Sequence, residues 1–251
     1  MMEWYLLAGI LLFFGGIVIV SRALDRRQAW ALKAWALENG WSFTAELRGH
    51  PNAGIELFHR GSARRGRYYC TRAFPEAVPG WPGAAVLELF QYQYTSGSGD
   101  NRSTSYFLCV AVRLPMDLGR VVIRPEGWGD RFVAAFGFED IDFEDPEFSR
   151  QFHVSAADRR DAYALLEGPM MSLMSARGQH GTVCTDGHAL VVYTEGQASP
   201  ERFDGIANYT RAMLTQIPRT LVNRARGRAG LSALTNAGAA SRVSRSVREC
   251  L

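Results

Sequence analysis

Lysine is almost missing from this sequence: Lys33 stands alone among 28 basic residues, which leaves 27 arginines. Combined with abundant Ala and Gly, so uniform a preference reflects a coding bias rather than guanidinium chemistry, and one arginine signals little. Cysteine is scarce as well. Cys70, Cys109, Cys184 and Cys250 lie far apart with no C-x-x-C pair, which excludes a zinc ribbon and reads as four free thiols. Excess charge of one sign is also lacking, since 28 basic residues face 25 acidic ones for a net charge of +3. That balance excludes an acidic coil and a broad phosphate footprint, so no nucleic-acid partner is expected. No G-x-S-x-G elbow, Walker loop or dinucleotide fingerprint occurs either, which removes the familiar nucleophile and nucleotide chemistries.

What is present begins with an uncharged apolar run, Trp4 to Val20, of seventeen residues. That is the short end of a bilayer-spanning helix. Arg22, Arg26, Arg27 and Lys33 follow it, whereas Glu3 is the only charged side chain before it. The one-sided basic flank predicts an uncleaved single-pass anchor in the inner membrane, N-terminus out and main domain cytoplasmic. Residues 1–21 read as the transmembrane anchor, 22–40 as a juxtamembrane helix, 41–225 as a cytoplasmic domain and 226–251 as a flexible basic tail.

Within that domain the patterning predicts α+β architecture, an antiparallel sheet packed with helices. Trp30, Ala34 and Leu37 form a helical stripe, and Asn39-Gly40 supplies a left-handed stop. Strands are expected at 41–47, 67–74, 120–124 and 148–154, with a short helix at 129–136. The clearest strand pair is 85–94 with 106–114, apolar on both faces near its middle and hence central. Ser155-Ala-Ala-Asp158 reads as a capping box opening a helix, which Gly168-Pro169 interrupts. A hairpin then turns on Asp186-Gly187, pairing Thr185 with His188. Ser199-Pro200 opens a last helix with Phe203, Ile206, Tyr209, Met213 and Ile217 on its buried stripe.

Several stretches carry a family resemblance: WALENGWSF after the apolar run, FQYQYTSGSGDNRSTS, VVIRPEG at 121–127 and FEDPEFSRQFHVSAADRRDAYALLEGPMM at 143–171. In order, they resemble a bacterial, largely actinobacterial, family of N-terminally membrane-anchored proteins with a domain of unassigned function. The resemblance implies an anchor followed by a cytoplasmic α+β domain, and it brings no catalytic residue. The arginine-rich tail is not part of the pattern.

Two clusters carry the candidate chemistry. The first, Glu139, Asp140, Asp142, Glu144, Asp145 and Glu147, is dense enough to hold a divalent cation but fits no calcium loop. Alternation with Ile141 and Phe143 reads it as a solvated edge. The second, His180, Cys184 and His188, splits over two faces and too long a strand distance for one zinc. No catalytic residue, metal site or cofactor is therefore assigned. The function expected is a non-catalytic, membrane-anchored binding or scaffold module with a protein partner; the alternative is a metal-dependent hydrolase using 139–147. The lipid bilayer is the other expected partner, through Arg22, Arg26 and Arg27 beside the apolar run and Arg242, Arg245 and Arg248 of the tail. In the tail, Val243, Val247 and Leu251 align on one stripe if it turns helical on anionic lipid.

Overall fold

Among the described residues, alternation of apolar and polar side chains builds one antiparallel sheet of nine strands, in the order β1-β2-β3-β4-β9-β8-β5-β7-β6. The computed structural model describes residues 2–47, 54–126, 138–177 and 181–227. In the first helix, side chains are described at 15, 16, 19, 20 and from 22 onward. The strands are β1 (Ser42–Glu46), β2 (Ser62–Pro75), β3 (Ala84–Ser96), β4 (Ser103–Arg113), β5 (Val121–Pro125), β6 (Glu139–Asp140), β7 (Phe152–Ala156), β8 (Thr182–Asp186) and β9 (Ala189–Glu195). The helices are α1 (Met2–Glu38), α2 (Pro146–Gln151), α3 (Arg159–Leu165), α4 (Gly168–Arg177) and α5 (Pro200–Thr215), followed by a helical segment at 219–227. The expected α+β class with an antiparallel sheet is what this architecture is.

The expected transmembrane anchor is not. Among the described residues no helix is long and apolar enough to cross a membrane. The apolar run does not end where a span should; α1 continues unbroken for 37 residues into a charged, exposed stretch holding Arg22, Asp25, Arg26, Arg27 and Lys33. The single-pass anchor and the inner-membrane placement with the N-terminus out are set aside accordingly. Arg22, Arg26 and Arg27 are exposed along this helix, and Arg242, Arg245 and Arg248 lie outside the described residues.

The helical stripe is corrected too. Trp30 and Leu37 are 69% and 62% exposed, whereas Leu32 and Ala36 are fully buried against the sheet. Both faces of this stretch are apolar, and the packing surface chose the one carrying Ala29 and Trp35. The helix stops as its sequence predicts. Gly40 sits at φ +70, its N–H bonds to Leu37 O and the Trp41 N–H to Ala36 O. Those two bonds make a Schellman stop, and the Trp41 ring stacks on Trp35 at 5.9 Å as its apolar clasp.

The sheet buries two cores of different character. On one face Leu87 and Leu89 of β3, Leu108, Val110 and Val112 of β4, and Leu190 and Val192 of β9 meet the helices. The opposite face of the same strands presents Phe90, Tyr92, Tyr94, Phe107, Cys109 and Tyr193. Instead of a helix, a 3-10 turn, Glu56–His59, closes it with Leu57 and Phe58. This second core is aromatic: Phe58 meets Tyr92 edge-on at 5.1 Å and Tyr94 stacks on Phe107 at 5.6 Å.

Three local expectations change. Phe148 belongs to α2, because Asp145 caps it by accepting from the Glu147 and Phe148 amides and Pro146 starts it. The strand begins only at Phe152. Ser155 remains within β7, and Asp158 alone caps α3 by accepting from Arg160 N. The β8–β9 hairpin pairs Asp186 with Ala189 and Thr185 with Leu190, so Gly187 and His188 form its turn. That frame keeps Val183 level with Val192 in the helix-side core. The short helix expected at 129–136 lies outside the described residues.

Between Arg67 and Cys70, β2 shifts register, and Tyr68 takes a left-handed φ of +56. A non-glycine residue at such an angle is strained. Its ring is 1% exposed, and its buried hydroxyl has no hydrogen-bond partner among the described residues. Tyr68→Phe removes that polar atom and keeps the packing, so it is expected to stabilise the fold by about 1 kcal/mol. Urea titration reads this directly; a loss of stability instead means that the hydroxyl is satisfied through ordered water.

Candidate functional site

The carboxylates of 139–147 separate once folded. Asp140, on the edge strand, contacts His153 Nε2 at 3.0 Å. Asp145 is spent capping α2, and Asp142, Glu144 and Glu147 are exposed. Ile141 is buried between the exposed carboxylates of 140 and 142, as alternation predicts. Among the described residues no three His, Cys, Asp or Glu side chains converge on a metal-sized position. The hydrolase alternative gains nothing from this geometry.

The three described thiols offer no nucleophile. Cys70, Cys109 and Cys184 are free and buried, and Cys250 lies outside the described residues. Burial pushes the Cys70 and Cys184 thiols up to about 12, and that of Cys109 well above its ordinary range. Thiols held that high remain protonated and inert at neutral pH. Cys184 lies on the aromatic face, His188 sits in the hairpin turn and His180 is outside the described residues.

A groove forms where the proline-rich link between β2 and β3 meets the helical segment 219–227. The link holds Val78-Pro79-Gly80-Trp81, with the Trp81 N–H bonded to Val78 O at 3.0 Å and Gly80 at φ +81. Proline second and a left-handed glycine third define a type II turn, which proline pre-organises. The turn lies against the helical segment through Val78 and Val222, both in the helix-side core. A groove of about 430 Å³ runs along Glu76, Pro79, Trp81, Pro82 and Arg226, and it adjoins a second hollow of about 250 Å³ at Arg219, Val222 and Asn223.

Charge in the groove is unbalanced. Arg219 and Arg226 stand seven residues apart on one helical side, and neither makes an ion pair with a described residue. Among the described residues Glu76 is the one acid lining it. In the sequence these arginines carry no signal beyond the coding bias. Pro79-Gly80 is a turn signal visible in the sequence, but its pairing with residue 222 is a tertiary event.

No protein-family model and no curated protein matches the chain. Among solved structures it is similar to the crystal structure of the mycobacterial trehalose monomycolate transport factor A, TtfA, with a TM-score of 0.51 and 11% identity. The match covers 77% of this chain and 97% of that one. At such identity the likeness concerns the fold.

Proposed function

We propose that this chain is a non-catalytic accessory module that holds a partner protein in the groove between the Pro79-Gly80 turn and the helical segment 219–227. The groove's charge carries the reading: two exposed guanidinium groups face one acid beside a tryptophan and two prolines. An acidic, extended segment of a partner complements that surface, its carboxylates reaching Arg219 and Arg226 and an apolar side chain resting on Trp81. Fold likeness to a transport factor is consistent with an accessory role.

The test places a photo-crosslinking residue at Asn223 of the full chain in its native host, with a second probe at the distant Glu88. One discrete adduct at 223, absent at 88, is expected. Arg219→Glu with Arg226→Glu should abolish it while the melting temperature stays within about 1 °C, since both side chains are exposed. An adduct that survives the double charge reversal overturns the reading.

A further inference from the structure

The aromatic core of the second sheet face ends at Cys184 and Val122, and beyond it the face turns polar. In register, Arg124 of β5 lies opposite His153 of β7, Val122 opposite Ser155, and Asp140 of β6 opposite Ser155. Alternation puts Val122, Arg124, His153, Ser155 and Asp140 all on this face. It is the opposite face from the groove, whose Val78 and Val222 belong to the helix-side core.

Arg124 is the anomaly. It is only 8% exposed, yet it makes no hydrogen bond or ion pair with a described residue. Of the acids at this end of the sheet, Glu56 is engaged with Arg60, Asp140 with His153, and Asp186 with Arg120 and the Gly54 N–H, while Glu126, two residues along from Arg124, is exposed and makes no ion pair with it. Ser155 is likewise buried at 9%, with no side-chain hydrogen bond to a described residue. Buried charge is costly unless paired, and a guanidinium does not shed its charge on burial. Five donors in a planar fork match a carboxylate or phosphate edge-on.

We infer that Arg124, with Ser155 and His153 beside it on the β5–β7 ladder, is a binding site for the oxyanion group of a ligand, a carboxylate or a phosphate. The anion occupies the guanidinium fork and accepts from the Ser155 hydroxyl. It supplies the negative charge that the neighbouring side chains do not. The site is independent of the groove, so either can fail without the other.

The full-length protein is melted in inorganic phosphate, in acetate and in sodium chloride at matched ionic strength, beside Arg124→Met and Arg124→Lys. One of the two oxyanions should raise the wild-type melting temperature by about 3 °C or more at tenfold excess over Kd. A response to phosphate alone assigns a phosphoryl group, and one to acetate alone assigns a carboxylate. Arg124→Met should lose the response and melt no lower than the wild type without anion, because an unpaired buried charge has been replaced by a similar apolar shape. Arg124→Lys keeps the charge without the fork, so calorimetric titration should show binding about tenfold weaker or worse. Equal shifts in wild type and Arg124→Met would mark general salt exclusion and overturn the site. Absence of any oxyanion-specific shift or heat in the wild type overturns it equally.

Discussion

Truncation of Phe58 to alanine is expected to lower the unfolding free energy by about 3–5 kcal/mol, the usual cost of deleting a buried aromatic ring. At roughly 2–4 °C per kcal/mol for a chain of this size, the melting temperature should fall by about 10 °C. Phe58 is 2% exposed and forms the centre of the cover over the second core, with its ring against Phe90 and Tyr92. Its carbonyl accepts from the Tyr92 hydroxyl at 3.2 Å and from Arg64 at 3.2 Å, so the backbone is pinned where the ring must sit. Gly54 N, bonded to Asp186 at 2.7 Å, fixes the approach to the turn. Alanine keeps every one of these backbone bonds and removes only the ring. The measured loss therefore isolates apolar packing, and Phe58→Leu should recover more than half of it. A loss below about 1 kcal/mol would mean that the turn is peripheral to the fold.

That second core shows how far local sequence reaches. The paired strands at 85–94 and 106–114 were legible because β-rich runs flank a Gly- and Ser-rich tip. The ladder runs further than expected, to Ser96 opposite Ser103, since cross-strand pairing carries the polar residues along. The buried stripe of α5 was legible as well: Phe203, Ile206, Tyr209 and Met213 are buried, with Ser199 as cap. What covers Phe90 and Tyr92 was not legible. Glu56–His59 sits in a stretch rich in Gly and Arg, and only tertiary docking makes it a core element. Partner choice across the sheet was equally hidden, because β4 pairs with β9 across some eighty residues of sequence and no local period encodes it.

The hairpin at 182–195 failed for a narrower reason. Asp-Gly is a strong turn signal, but a two-residue loop can hold the glycine first or second. The observed frame holds the glycine first, pairing Cys184 with Val191 and Val183 with Val192; the other frame leaves Cys184 on the aromatic face and Val183 on the helix side just the same, so alternation of burial does not separate the two. Arg124 was unreadable for a related reason. Nothing in the sequence separates it from 26 other arginines, and its burial arises only when β5 is enclosed between β8 and β7.

Trp41→Ala is the other large effect, again about 3–5 kcal/mol, but it should act on a different part of the molecule. Trp41 is 5% exposed and joins three elements: it stacks on Trp35 of α1, meets Phe74 of β2 edge-on at 5.7 Å, and leads directly into β1. Trp35 in turn meets Phe203 of α5 at 5.8 Å. The α1 side chain of Gln28 donates to Ala198 O, while Ala198 N donates to the buried Gln91 of β3 at 2.7 Å. The last turns of α1 are thus clasped at two points, and alanine at 41 opens one of them. Their amides should exchange faster with solvent in Trp41→Ala, by more than those of β4, whose neighbours on both sides are intact strands. Phe58→Ala should show the reverse, loosening 54–60 and sparing α1. If both variants accelerate exchange uniformly along the chain, the two faces of the sheet unfold as one unit, and the helix is held by the sheet as a whole rather than by its tryptophan clasp.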